Sequence, residues 1–243
     1  MMSALVIGCM APDFEYFLRF SPEGPFGHTL PGVFILDLPL GLIALWLYHS
    51  YAKEPLYAWL PESMQRRIEP GPASPPVKNL SQFALAVASI LVGVATHIFW
   101  DSFTHTRFWP YHHWRFLHRT LELPIYGSIK YIRVIQQVST VAGAVVLLIW
   151  LRHWFRTAAP DHACMPRYER EKRRAALVIV CIVALAGACV RAFLILVFAR
   201  ALNLGTVKDA FESAVITGID FFWLAVIVYG AWRSRKKEEK VEA

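Results

Sequence analysis

Residues 83–100 read FALAVASILVGVATHIFW, and the next five read DSFTH. The run of eighteen contains no Lys, Arg, Asp or Glu. As a helix rising 1.5 Å per residue it covers about 27 Å, close to the hydrocarbon thickness of a bilayer. Backbone polar groups in lipid must be satisfied within the segment, so a helix is the economical form for it. The stretch predicts a membrane span that ends on His97, Asp101 and His105.

Four further apolar runs lie on either side, at 32–48, 132–151, 175–199 and 210–232. Asp37 and Pro39 interrupt the first, Arg191 the third and Asp220 the fourth. The reading is an all-α polytopic membrane bundle of about five transmembrane helices, one membrane-embedded domain over residues 1–243. A short buried or re-entrant N-terminal helix precedes the bundle, because MMSALVIGCMAP is apolar but too short to span. The aromatic, His and Arg mixture from Trp109 to Arg133 suits an interfacial helix and loop. Pro61, Pro70, Pro72, Pro75 and Pro76 mark a solvated connector.

Composition agrees. Of 243 residues, 56% are hydrophobic and 18% charged, where soluble domains have nearer 45–50% and about 25%. Disorder and disulfide-rich secreted scaffolds are excluded. Cys9, Cys164, Cys181 and Cys189 form no C-x-x-C pair. The net charge of +7 points to topology, with no nucleic acid expected as a partner. The segments 49–82, 152–174 and 233–243 hold sixteen Lys and Arg, against eight on the other side. The first set is expected to be cytoplasmic, with 233–243 as a basic tail. Basic residues in 167–174 and 233–240 are expected to touch anionic lipid.

His97, Asp101 and His105 follow at i, i+4 and i+8, on one face if the helix continues. Imidazole with carboxylate suits a divalent metal: zinc first, manganese or iron as alternatives. His97 and His105 would be about 12 Å apart along such a helix, too far for one ion. Either two ions share a bridging Asp101, or one ion uses one i, i+4 pair and the third residue supports it. Asp13 and Glu15 follow Pro12, and His28 stands in Gly27-His28-Thr29 before the first span. With five spans both groups fall at the same, non-cytoplasmic boundary. The expected ligand set is therefore Asp13, Glu15, His28, His97, Asp101 and His105, with Asp101 and Glu15 as candidate catalytic carboxylates. Asp37, His112 and His113 are expected around it, as orienting groups or a general base. Arg191 and Asp220, matched in depth, are expected to form a structural ion pair.

Pro12-Asp13-x-Glu15, Gly27-His28-Thr29 and His97-x-x-x-Asp101-Ser-Phe-Thr-His105 resemble an uncharacterised bacterial membrane family of the domain-of-unknown-function kind. The pattern is similar to the inner-membrane metal-dependent hydrolases, with their Pro-Asp-x-Asp, His-x-x-x-Thr-His and Ser-His-x-x-x-Asp elements. The resemblance to the first covers most of the chain; to the second, only the motifs. The chain departs by starting Met1-Met2-Ser3 where members carry a Ser-His pair, and by Gln137 where they tend to His.

The resemblance implies a multi-pass protein of the bacterial cytoplasmic membrane. Its expected activity is metal-dependent hydrolysis of a lipid or envelope-related ester or phosphoester. The alternative is a non-enzymatic transport or assembly component with a structural metal or none. Oligomeric state is not legible. The charge count makes one direct prediction: reporter fusions after Arg156 and after Lys240 both report cytoplasm. If both report the outer side the orientation is reversed; disagreement would change the number of spans.

Overall fold

A computed structural model describes residues 1–22, 24–69, 77, 79–123, 127–163, 167–199 and 201–242. Pro70, Pro72, Pro75, Pro76 and Cys164 of the sequence reading lie outside these residues. Five helices are long and apolar enough to cross a membrane: Leu30–Trp59, Leu80–Asp101, Tyr131–Thr157, Glu171–Phe198 and Leu204–Lys236. The expected spans fall on these five, and each helix is longer than its expected span. The apolar side chains of the spans are widely exposed; Val146, Leu147, Leu148, Ile149 and Trp150 follow one another on the surface of the third. No soluble protein presents such a band to water. Lipid is the solvent for these faces.

The chain forms two compact units, residues 1–94 with 162–243, and residues 95–161. In the first, helix α1 (Met2–Met10) leads through a tight 3-10 turn (Ala11–Asp13) into α2 (Phe14–Arg19). Helix α3 (Leu30–Trp59) is the first span, and the short α4 (Glu62–Gln65) follows it. Helix α5 (Leu80–Asp101) begins in this unit and is unbroken past its edge. Two five-residue π-helical segments, Val33–Asp37 and Tyr48–Ala52, lie inside α3. Such insertions widen a turn and re-aim side chains, and they recur at functional sites.

Close packing in this unit depends on glycine. A Cβ on Gly8 would stand 2.3 Å from the Ile90 carbonyl oxygen, and one on Gly93 would stand 2.4 Å from the Leu5 carbonyl oxygen. Helices α1 and α5 therefore touch backbone to backbone. Small residues give this approach in membranes, where dispersion and fit replace the hydrophobic drive between helices.

In the second unit, α6 (Trp109–His113) is followed by a 3-10 turn (Arg115–His118) and the strands β1 (Thr120–Leu123) and β2 (Gly127–Lys130). The strands pair antiparallel, from Thr120 opposite Lys130 to Leu123 opposite Gly127. The expected interfacial helix and loop thus contains a hairpin as well. Helix α7 (Tyr131–Thr157) then forms the third span.

Back in the first unit, α8 (Arg167–Phe198) and α9 (Leu204–Glu242, 39 residues) pack against each other as an antiparallel pair. Gly187 faces Phe221 and Gly218 faces Ala188. The expected Arg191–Asp220 ion pair is not found among the described residues, although this register places Asp220 within about one turn of Arg191. Arg191 Nη2 donates instead to the Phe20 carbonyl at 3.1 Å, and Asp220 Oδ2 has no hydrogen-bond partner.

The packing predicts a contrast between two glycines. Gly93→Leu forces α1 off α5 and lowers stability by about 3 kcal/mol, at the upper end for overpacking. Gly143→Ala, where an added Cβ meets nothing within 4 Å, should be neutral or gain up to about 1 kcal/mol of helix stability. Thermal melts of the detergent-solubilised chain read both.

Candidate metal centre

The N-terminal group is built around one buried carboxylate. Glu15, in the first turn of α2, is only 4% exposed. Its Oε1 accepts from Arg19 Nε at 2.8 Å, and its Oε2 accepts from the backbone N–H groups of Phe26 at 2.8 Å and Gly27 at 3.0 Å. Both oxygens are committed to holding the loop, so Glu15 positions the site; the ligand or catalyst role expected for it would require those contacts to be given up. Burial pushes its carboxyl up, but the Gly27 N–H, Arg19 and the Phe26 N–H outweigh that and hold it below its ordinary value of 4.5.

The clamped loop presents His28. Its side chain is 1% exposed, and Nε2 stands 3.6 Å from Asp13 Oδ1. Its ring lies over Tyr16 with centroids 6.3 Å apart. Gly27 has to be glycine: a Cβ there would be 2.6 Å from the Pro12 carbonyl and 3.0 Å from Asp37 Oδ1. Asp37, fully buried at the end of the first π-helical segment, therefore rests against the loop at Gly27. Thr29 caps α3, accepting from Gly32 N–H at 3.1 Å and donating to the Phe26 carbonyl at 2.7 Å.

The second group departs from a straight helix. Helix α5 stops at Asp101 and the chain turns, with the N–H groups of Thr104 and His105 both donating to the Asp101 carbonyl at 3.0 Å. The His105 bond is the i, i+4 contact of one last turn, so His105 still follows Asp101 on the same side although the regular helix has ended. Asp101 Oδ2 stands 3.5 Å from His97 Nε2 and 3.5 Å from His105 Nδ1. The nearly buried Thr104 hydroxyl also meets His105 Nδ1, at 3.1 Å.

Three His–carboxylate separations thus fall at 3.5–3.6 Å. Good N–H···O hydrogen bonds are about 2.7–3.2 Å. Two ligands of one tetrahedral ion, with bonds near 2.0–2.1 Å, stand about 3.3 Å apart. The pairs are spaced like ligands around a cation.

His112 and His113 are exposed on α6. His113 Nδ1 meets the Trp109 carbonyl at 2.9 Å and its ring stacks on that indole, while His112 lies edge-on to Tyr111. His118 meets the Tyr111 carbonyl and stacks on the Tyr111 ring. These contacts are those of interfacial histidines. Sequence reasoning passed over Thr104, Tyr16 and His49, whose Nε2 lies 2.9 Å from Ser3 Oγ in the second π-helical segment. Thr104 had a signal in its place beside His105; His49 had only its polarity within an apolar run.

Fold and side chains together describe an all-α integral membrane protein with His and carboxylate clusters at the ends of its spans. Residues 1–231 match the family described as a domain of unknown function, DUF4184, and the chain belongs to it. No curated protein matches the chain. No solved structure matches it.

The Glu15 clamp predicts a pH dependence. Its folded pKa is lowered, so its contribution is full above the unfolded value near 4.5 and is lost as pH falls through the folded value. Glu15→Gln should cost about 1–3 kcal/mol at pH 7, and the deficit should shrink on acidification below about pH 4.5. Paired melts of the two proteins from pH 7 to pH 3.5 measure it.

Proposed function

We propose that this protein is a membrane-embedded metal-dependent hydrolase of a lipid or envelope-related ester or phosphoester. Asp13, His28, His97, Asp101 and His105 are its metal ligands. The observation that carries the reading is the ligand-like spacing of the three His–carboxylate pairs, one of them on a buried imidazole. Ionisable residues at a membrane boundary are costly unless used.

The proposal takes the two groups as parts of one centre. It is favoured by the order of the spans: with five of them, both groups fall at the same membrane boundary. When bound, a zinc-class ion supplies a water acidic enough to attack near neutral pH and a Lewis acid for the ester oxygen. The chain's own part is orientation. Glu15 fixes the loop of His28, Asp37 supports Gly27, Thr104 sets the His105 ring, and Asp101 faces two imidazoles. The boundary location favours a substrate presented at the headgroup layer, and the basic residues of 233–243 favour a cytoplasmic C-terminus, as expected of a bacterial inner-membrane protein.

Metal content of the purified protein tests the reading. The wild type should carry zinc, manganese or iron near stoichiometrically, and His28→Ala and Asp101→Ala should each lower it at least about tenfold, a loss of 1.4 kcal/mol or more. If each variant loses only its own share, the groups bind separately. A metal-free wild type refutes the centre; a metal-loaded protein that hydrolyses no ester or phosphoester would support the non-enzymatic alternative.

A further inference from the structure

A second site lies elsewhere in the first unit. Helices α8 and α9 line an open groove of about 1110 Å³. One end is cationic, lined by Lys172, Arg173, Arg233 and Lys236. The rest is apolar and runs along both helices to Val183 and Phe221. From Arg173 to Val183 is ten residues, about 15 Å of helix, comparable to the depth of one leaflet's hydrocarbon.

The cationic end is built around Arg173, whose side chain is only 7% exposed. Its Nη2 lies 3.4 Å from Glu169 and 3.7 Å from Glu54, and its Nη1 is buried with no hydrogen-bond partner. Arg233 Nη2 stands 3.5 Å from the same Glu54 carboxylate, and Lys236 lies over the Trp232 ring at 4.3 Å. Among the described residues at this end, four cations meet two carboxylates, an excess of positive charge. A buried guanidinium N–H without an acceptor is costly, and an anion supplies the acceptor. Trp59 fastens the same turn by donating from Nε1 to the Arg173 carbonyl at 2.7 Å, so the guanidinium is held in place.

We propose that this groove binds one anionic glycerophospholipid, its phosphodiester on Arg173, Arg233 and Lys236 and an acyl chain along the apolar trough toward Val183 and Phe221. Charge complementarity selects the headgroup, and the apolar length selects a lipid over a small anion. The site is separate from the proposed metal centre and does not rest on it.

The test uses the full chain in micelles doped with equal amounts of a phosphatidylglycerol and a phosphatidylcholine of identical acyl chains, with retained lipid counted by native mass spectrometry. The wild type should hold one phosphatidylglycerol at least about tenfold over phosphatidylcholine. Arg173→Gln, and Ala176→Phe, which fills the groove without changing charge, should each abolish that preference. Arg235→Gln, an exposed cation outside the groove, should leave it intact. Excess inorganic phosphate should not displace the lipid. Equal retention of the two lipids by the wild type overturns the proposal whatever the variants do. So does undiminished retention in a Ala176→Phe protein that melts like the wild type, and so does displacement by phosphate alone. If Arg173→Gln does not fold, Arg233→Gln takes its place, read by the same count.

Discussion

The architecture at the N-terminal end depends on the Glu15 carboxylate. Two backbone N–H groups of the Phe26–Gly27 loop face the protein interior near a membrane boundary, where water is not reliably present to receive them. One carboxylate oxygen takes both, and the other is held by Arg19. Because the loop is fixed by charge-assisted bonds, His28 can be almost wholly buried and still face Asp13 at a set distance. Arg191 extends the same support from another helix: its guanidinium holds the Phe20 carbonyl, where α2 ends in the left-handed conformation at φ 50°.

Around this loop the packing is a matter of removing atoms. Gly8, Gly93 and Gly27 are places where a methyl group would meet backbone or carboxylate at 2.3–3.0 Å. Between helices of this kind, lipid-facing apolar side chains add nothing to association that lipid itself does not offer, so fit decides. The small residues of α1 let it lie directly on α5, and that helix carries its ionisable residues at its far end. The π-helical segment that ends in Asp37 puts a fully buried carboxylate against the loop from the opposite side.

Much of this was legible in the sequence, for reasons that can be traced. The spans could be read because an apolar run of about twenty residues has few alternatives. The His and carboxylate groups stood out because ionisable residues are rare beside such runs. What was misread came from assuming that local patterns continue. Helix α5 was taken to run on through His105, whereas its regular part ends at Asp101 and only one further turn, closed by the His105 N–H, follows. Lys208 and Asp209 hid the first turns of α9, which begins at Leu204 rather than at 210. In Thr120-Leu-Glu-Leu the alternation of a strand was present but too short to outweigh its aromatic and basic surroundings. The Glu15 clamp had no signal, since its backbone partners are eleven and twelve residues away in an aperiodic loop.

Helix α9 has a mechanical consequence. At 39 residues it is about 58 Å long, roughly twice the thickness of the hydrocarbon it crosses. No ordinary tilt absorbs that excess. Its last turns, rich in Arg, Lys and Glu, therefore stand in water as a stiff continuation of a membrane-anchored rod. Anything attached there is held at arm's length from the bilayer, and a push on the end is transmitted by the same helix to the turns that touch Arg173 and Trp59.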